Sequence, residues 1–402
     1  MNNEQEKLNT SPDEVARLEA EFTAKRKLRL RRTRITRAVV ISVLAIILVV
    51  IVYFAVRYRD MLSPESLRNY VNISSGSSIN TLGGAADVVG GNSSVYAAFS
   101  DGLAVATTTS VRYATPNGRN GFSEKAVFTS PALYSSEDYL LAYDKSGITL
   151  MLFDKNGLVA TAETSGSIIS ATVSEDGVCS VISEADGYIS CLSVFNRKLE
   201  PLYRWFNSEY YTISAAYHDD SRRCAVSAVT ESNGTLRGSL LIFDITREGI
   251  ANTADLGAAV PTEITTSKYG FTVAARDGAV FTQTDGQIYA TQSFSEPVHG
   301  ICPDGNGGLF FVLAPYTPEE KFILVHCNNE GLLSRKIKIN EDILAIHAFE
   351  KHFGVMSGKD ITVYSTDLDI ERIIQREPDV SSVAVIRDGY AVLFSDDGLA
   401  IK

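Results

Sequence analysis

The chain has 402 residues, 45% of them hydrophobic and 21% charged, a globular composition that excludes a largely disordered protein. Its net charge of −11 is unevenly spread: residues 1–37 hold ten Lys and Arg against six acids, and the remainder is strongly acidic. An acidic body of this size repels phosphate backbones, so nucleic acid is not expected as a partner.

The first 37 residues form a basic tail. Ser11-Pro12-Asp13-Glu14 has the pattern of a helix start, with a capping hydroxyl, a proline at the first helical position and an acid at the third. Val15, Leu18 and Phe22 follow at helical spacing. Both a short juxtamembrane helix and a solvated tail fit this pattern. Eight basic residues then cluster before the apolar run: Lys25, Arg26, Lys27, Arg29, Arg31, Arg32, Arg34 and Arg37.

From Ala38 to Val56 the chain carries no charge, and only Ser42 and Tyr53 bear polar groups. Such a run, at about 1.5 Å per residue, spans roughly 28 Å, the thickness of a bilayer's hydrocarbon core. The spacing predicts one transmembrane helix, with the lipid bilayer as a partner. The positive-inside rule places the tail (1–37) in the cytoplasm and everything after Val56 outside it, at the cell membrane. A cleaved signal peptide would have a shorter apolar core and a small-x-small cleavage site, so residues 38–56 are expected to stay as a signal anchor. Residues 57–77 then form a short extracytoplasmic stalk, and 78–402 the main domain.

That domain reads as all-β. Eight Asp-Gly pairs punctuate it, at Asp101, Asp176, Asp186, Asp277, Asp285, Asp304, Asp388 and Asp397, each followed by its glycine. Asp-Gly between apolar runs is a hairpin signal, because both residues tolerate the positive φ of tight turns. Units of four short strands begin near Ser94, Pro131, Ile168, Thr212, Thr262, Val298, Leu344 and Ser381, at intervals of 36 to 50 residues. A β-helix or tandem sandwiches would also give many short strands, but this period is that of a β-propeller blade. The last unit stops after three strands, and an open edge invites aggregation. Ser78–Val89 is therefore expected to supply the missing strand. Eight blades follow, or seven if the first unit is irregular.

A basic tail, one anchor helix and degenerate propeller repeats together resemble a Gram-positive bacterial family of membrane-anchored, propeller-like proteins of unknown function. The repeats are similar to WD-repeat and YVTN-type propellers, although the Trp-Asp dipeptide is missing, since the single tryptophan is followed by phenylalanine (Trp205-Phe206). The resemblance rests on architecture and implies no functional residues.

A search for chemistry finds no catalytic, cofactor-binding or metal-binding residues. The five histidines form no zinc motif, and His218-Asp219-Asp220, the densest run of ligand types, reads as a solvated turn. His347 and His352 flank Phe349-Glu350-Lys351, which has the look of an exposed turn. No turn supplies the six to eight oxygens that calcium takes. Ser174-Glu175-Asp176-Gly177 starts like a sialidase turn and lacks the remainder, and no Gly-x-Ser-x-Gly is present. The five cysteines read as core residues. Cys302 and Cys327, on the first and third strands of one blade, would be about 9.6 Å apart, too far for a disulfide.

The leading expectation is a binding or scaffolding module for a protein or an envelope polymer, with no cofactor and the oligomeric state open. One alternative is an envelope enzyme, a glycan-acting hydrolase or lyase with acids at the channel. Another is a sensor that passes ligand binding through the helix. Carboxylates in a deep central pocket would favour the enzyme, and a shallow apolar mouth would count against it.

Overall fold

The computed structural model describes residues 94–115, 121–232, 234–315, 321–389, 391–395 and 398–401. The basic tail, the Ala38–Val56 span, the stalk and the expected closing strand Ser78–Val89 all lie outside these residues. Among the described residues no helix is long and apolar enough to cross a membrane.

The strands pair antiparallel in sequential order, giving seven four-stranded blades and one three-stranded sheet among the described residues. The blades span 95–125, 131–163, 168–207, 211–257, 261–293, 298–339 and 343–375, and the three-stranded sheet spans 380–401. This is a β-propeller. Eight four-stranded blades were expected and seven are found, since the last sheet has only three strands here. The expected unit starts fall within a residue of the first strands observed, which begin at Val95, Pro131, Ile168, Tyr211, Pro261, Val298, Ile343 and Val380.

Burial explains which segment takes which place in a blade. Tyr139–Asp144 and Thr149–Asp154 are almost wholly buried, because neighbouring blades cover both of their faces. Such strands read as continuous apolar runs. The outermost strands Gly121–Lys125 and Ile288–Ser293 instead alternate between exposed and half-buried, with one face open to water. Each blade thus starts at the axis and ends at the rim.

Stability comes from the seams between blades. Phe99, Leu140, Met151 and Phe153 join the first two blades. Phe310 of the sixth stacks on Phe353 of the seventh at 4.6 Å. The three-stranded sheet fills the last gap: Val383 and Val385 pack on the seventh blade, and Ala384, Ile386 and Val392 pack on Ala98, Leu103 and Val105 of the first. Each fully buried phenylalanine contributes about 2–3 kcal/mol of transfer free energy. The Tyr96 and Ser382 hydroxyls also hydrogen-bond between the first blade and the last sheet. The ring therefore closes on itself, and the channel mouth sits on a rigid frame.

Candidate functional site at the channel mouth

The turns that follow the innermost strands meet around the channel. A cavity of about 510 Å³ opens there, with Glu137, Glu175, Asn306, Glu350 and Arg387 on its rim. These turns are locally determined. Asp304, for example, accepts the Asn306 and Gly308 N–H groups at 2.8 Å each, and Gly307 takes φ +83°, a value that disfavours any side chain. Four of the eight Asp-Gly pairs (Asp101, Asp176, Asp304 and Asp388) occupy such turns.

Bonds between blades lock the turns together. The Ser136 hydroxyl donates to the Ser174 carbonyl at 3.0 Å, and the Ser174 hydroxyl donates to Asp219 at 2.7 Å. His218 Nε2 lies 2.9 Å from the Ser267 carbonyl, and the Thr272 hydroxyl donates to the Gly307 carbonyl at 2.6 Å. Arg387 then reaches in two directions, donating to Glu350 at 2.8 Å and to Glu137 at 2.9 Å. His218 and Asp219 thus serve as latches in the frame, and among the described residues no group of three potential ligands could hold a metal.

One sector of the mouth is crowded with acids. Burial, with Glu137, Asp219, Asp138 and Asp176 adding repulsion, holds the Glu175 carboxyl above its ordinary range. Asp219 is also pushed up by burial, against the Ser174 hydroxyl and the Asp176 N–H that stabilise its ionised form. Among the described residues Arg387 pairs with Glu137 and Glu350.

Below the rim stands Glu263, on the innermost strand Pro261–Ser267 of the fifth blade. It precedes the strand end by four residues, which places it about 13 Å below the turn. Ile264 is fully buried between blades, so strand alternation turns Glu263 and Thr265 towards the channel, where both line the cavity. Burial raises the Glu263 carboxyl above its ordinary range. Burial and then the nearby Glu263 charge likewise push up the Tyr134 phenol, and the Cys302 thiol rises to about 12 by the same two causes. The turn that His347 and His352 flank falls at Glu350 and Lys351, as expected, with Lys351 exposed. The His347 ring is half-buried, accepts the Val385 N–H at 3.1 Å, and is lowered to about 4 by burial. His352 is half-buried and lies 2.6 Å from Glu371.

A family model described as "Family of unknown function (DUF5711)" matches residues 78–367. The chain belongs to this family. No curated protein matches it. Among solved structures, the C-terminal WD40 domain of Sif2 is similar over 76% of this chain and 96% of its own, at 10% identity and a TM-score of 0.51. BamB from Moraxella catarrhalis is 12% identical over 76% of this chain and 95% of its own, with a TM-score of 0.47. The Dos1 propeller is 10% identical over 75% and 88%, with a TM-score of 0.48. At such identities the likeness speaks for the fold alone, and the WD40 domain carries it.

The family match includes Glu137, Glu175, Glu263 and Glu350 and ends before Arg387. Sequence reading did not single out these five as a group. A usable signal existed for three of them: aligning the repeats puts Glu137, Glu175 and Glu350 just after an innermost strand. Glu263 shows as the one acid inside a strand with three threonines, Pro261–Ser267. All five cysteines are free, and the strand Leu309–Leu313 separates the strands of Cys302 and Cys327, as their spacing predicted.

Proposed function

We propose that this chain is a membrane-tethered, extracytoplasmic β-propeller acting as a binding or scaffolding module for a protein or envelope polymer. The observation that carries the reading is the acidic channel mouth on a latched frame, with Glu137, Asp138, Glu175 and Asp176 concentrated in one sector. Such a surface attracts a positively charged segment and discriminates against anionic ones. The uncharged Ala38–Val56 run and the basic cluster before it support the tether and its orientation.

Crosslinking in intact cells followed by capture of the full chain tests the reading. Glu137→Lys, Glu175→Lys and Asp176→Lys together should abolish capture of the partner seen with the wild type. An unchanged set of captured molecules would overturn it. The tether is tested by shaving cells with an external protease, which should remove residues beyond the stalk and leave the tail.

A second reading, glycan hydrolysis or lysis, draws support from the same cavity, since it holds several carboxylates and two of them are raised by burial. A raised carboxyl beside an ionised one is the pair that glycoside cleavage uses. Release of new chain ends from envelope glycans by the wild type, and not by Glu175→Gln, would favour it.

A further inference from the structure

We propose that the channel cavity is a binding site for an organic cation, an ammonium or guanidinium group, with Glu263 as its counter-charge. The inference rests on the binding reading above and names the chemistry that the mouth admits.

Glu263 makes no hydrogen bond and no ion pair among the described residues, and it is half-buried on the innermost strand, where it lines the cavity. A half-buried carboxylate without a protein partner presents its charge to whatever enters the cavity, and a cation bound there gains a charge-assisted hydrogen bond. The cavity of about 510 Å³ lies in the size range of small-molecule pockets and far exceeds the space of a single water. Its walls supply hydroxyls from Ser135, Thr265 and Thr266, and two aromatic rings, Tyr134 and Phe349. A carboxylate, hydroxyls and aromatic faces are the surroundings an alkylammonium or guanidinium group takes. A metal ion would need several convergent oxygen, nitrogen or sulfur ligands, and no such group exists among the described residues.

The charges at the mouth agree with this. Glu175 leads the approach, and the rim cation Arg387 is already engaged by Glu350 and Glu137. Lys351 stands exposed at the rim of the same cavity. A cation therefore passes an acidic sector and meets the uncompensated carboxylate below it.

Calorimetric titration of the purified full chain tests the site, with two probes that separate the sources of the cation. One is 1,5-diaminopentane, a free diffusible amine; the other is a pair of capped tripeptides carrying a central Lys or Arg, which mimic a polypeptide side chain. Saturable binding of either probe, weakened at least about 10-fold in Glu263→Gln, is expected, since a charge-assisted hydrogen bond is lost. The thermal midpoint of Glu263→Gln without ligand should equal or exceed that of the wild type. Carbodiimide-activated labelling of Glu263 in the wild type, read by mass spectrometry, covers a variant that fails to fold: a saturating probe should protect Glu263. Absence of saturable binding by every probe overturns the proposal, as does equal affinity in a folded Glu263→Gln or labelling that the probe leaves unchanged. Probe binding lost while partner capture persists removes this site alone. Probe binding without any captured partner removes the binding-module reading alone.

Discussion

Arg387 and Glu137 are 250 positions apart in the chain, yet the guanidinium Nη2 lies 2.9 Å from the Glu137 carboxylate. The same nitrogen is 2.8 Å from Glu350, so one side chain of the last sheet ties the seventh blade to the second across the rim of the channel. The two arms are not equal. Glu137 keeps 62% of its side chain exposed and Glu350 33%, so water screens the first more. Double-mutant cycles by urea unfolding should give a coupling of about 1 kcal/mol for Arg387–Glu350 and less for Arg387–Glu137. Both should shrink in roughly 1 M salt, where screening acts within about 3 Å.

Asp304 and His326 form a pair with side chains only 5% and 6% exposed, at 2.9 Å. Asp304 also accepts two turn N–H groups, so its removal strands three partners at once. Asp304→Ala should lower the unfolding free energy by about 3–5 kcal/mol. Asp304→Asn, which keeps one acceptor oxygen, should lose less. Equilibrium unfolding of the two variants checks the order.

His347 gives an acid limb to stability. Its folded pKa is about 4 against an ordinary value near 6.5, because burial disfavours the charged ring. Below the ordinary value the unfolded chain binds a proton that the folded chain refuses, so stability falls as pH drops through this window. The loss amounts to at most about 3 kcal/mol. His347→Gln, whose amide oxygen can still accept the Val385 N–H, should flatten that limb in unfolding measured across pH 4 to about 7.

Glu263 acts with the opposite sign. Its folded carboxyl is raised, so the unfolded chain loses its proton first as pH increases. Its contribution to stability is present below the usual carboxylate pKa of about 4.3 and is lost as pH rises through the raised value. Glu263→Gln should therefore gain thermal stability relative to the wild type towards neutral pH and lose that advantage in acid. A pH series of melting curves for the two proteins reads the crossover.

The cysteines should be inert in the folded protein. Burial lifts the thiols of Cys179, Cys224, Cys302 and Cys327 to about 12, so the reactive thiolate is scarce at neutral pH. An aromatic disulfide reagent should titrate five thiols in urea and scarcely any within minutes under native conditions. Rapid native reaction of Cys302 would show that its strand is not enclosed.

Much of the fold was legible because its signals are local. Apolar runs of five to eight residues, ended by Asp-Gly or Asn-Gly, mark strands and turns without reference to distant parts of the chain. That is why the expected start at Pro131 or Val298 coincides with the observed one. The site was less legible. Nothing near Arg387 in the chain announces Glu137, and nothing near His347 announces the Val385 N–H that it accepts from 38 positions away.

The sequence by itself determined the strand order, the repeat length, the acid-rich turns and the separation of Cys302 from Cys327, because period-two burial and turn chemistry act within a few residues. Only the tertiary structure decided which acids face one another, that Arg387 compensates two of them, and that Glu263 lines the cavity without a partner among the described residues. The reason is ring closure. Residues from blades far apart in the chain become neighbours only when the last sheet packs on the first blade, and at that point burial and charge set the chemistry of the channel.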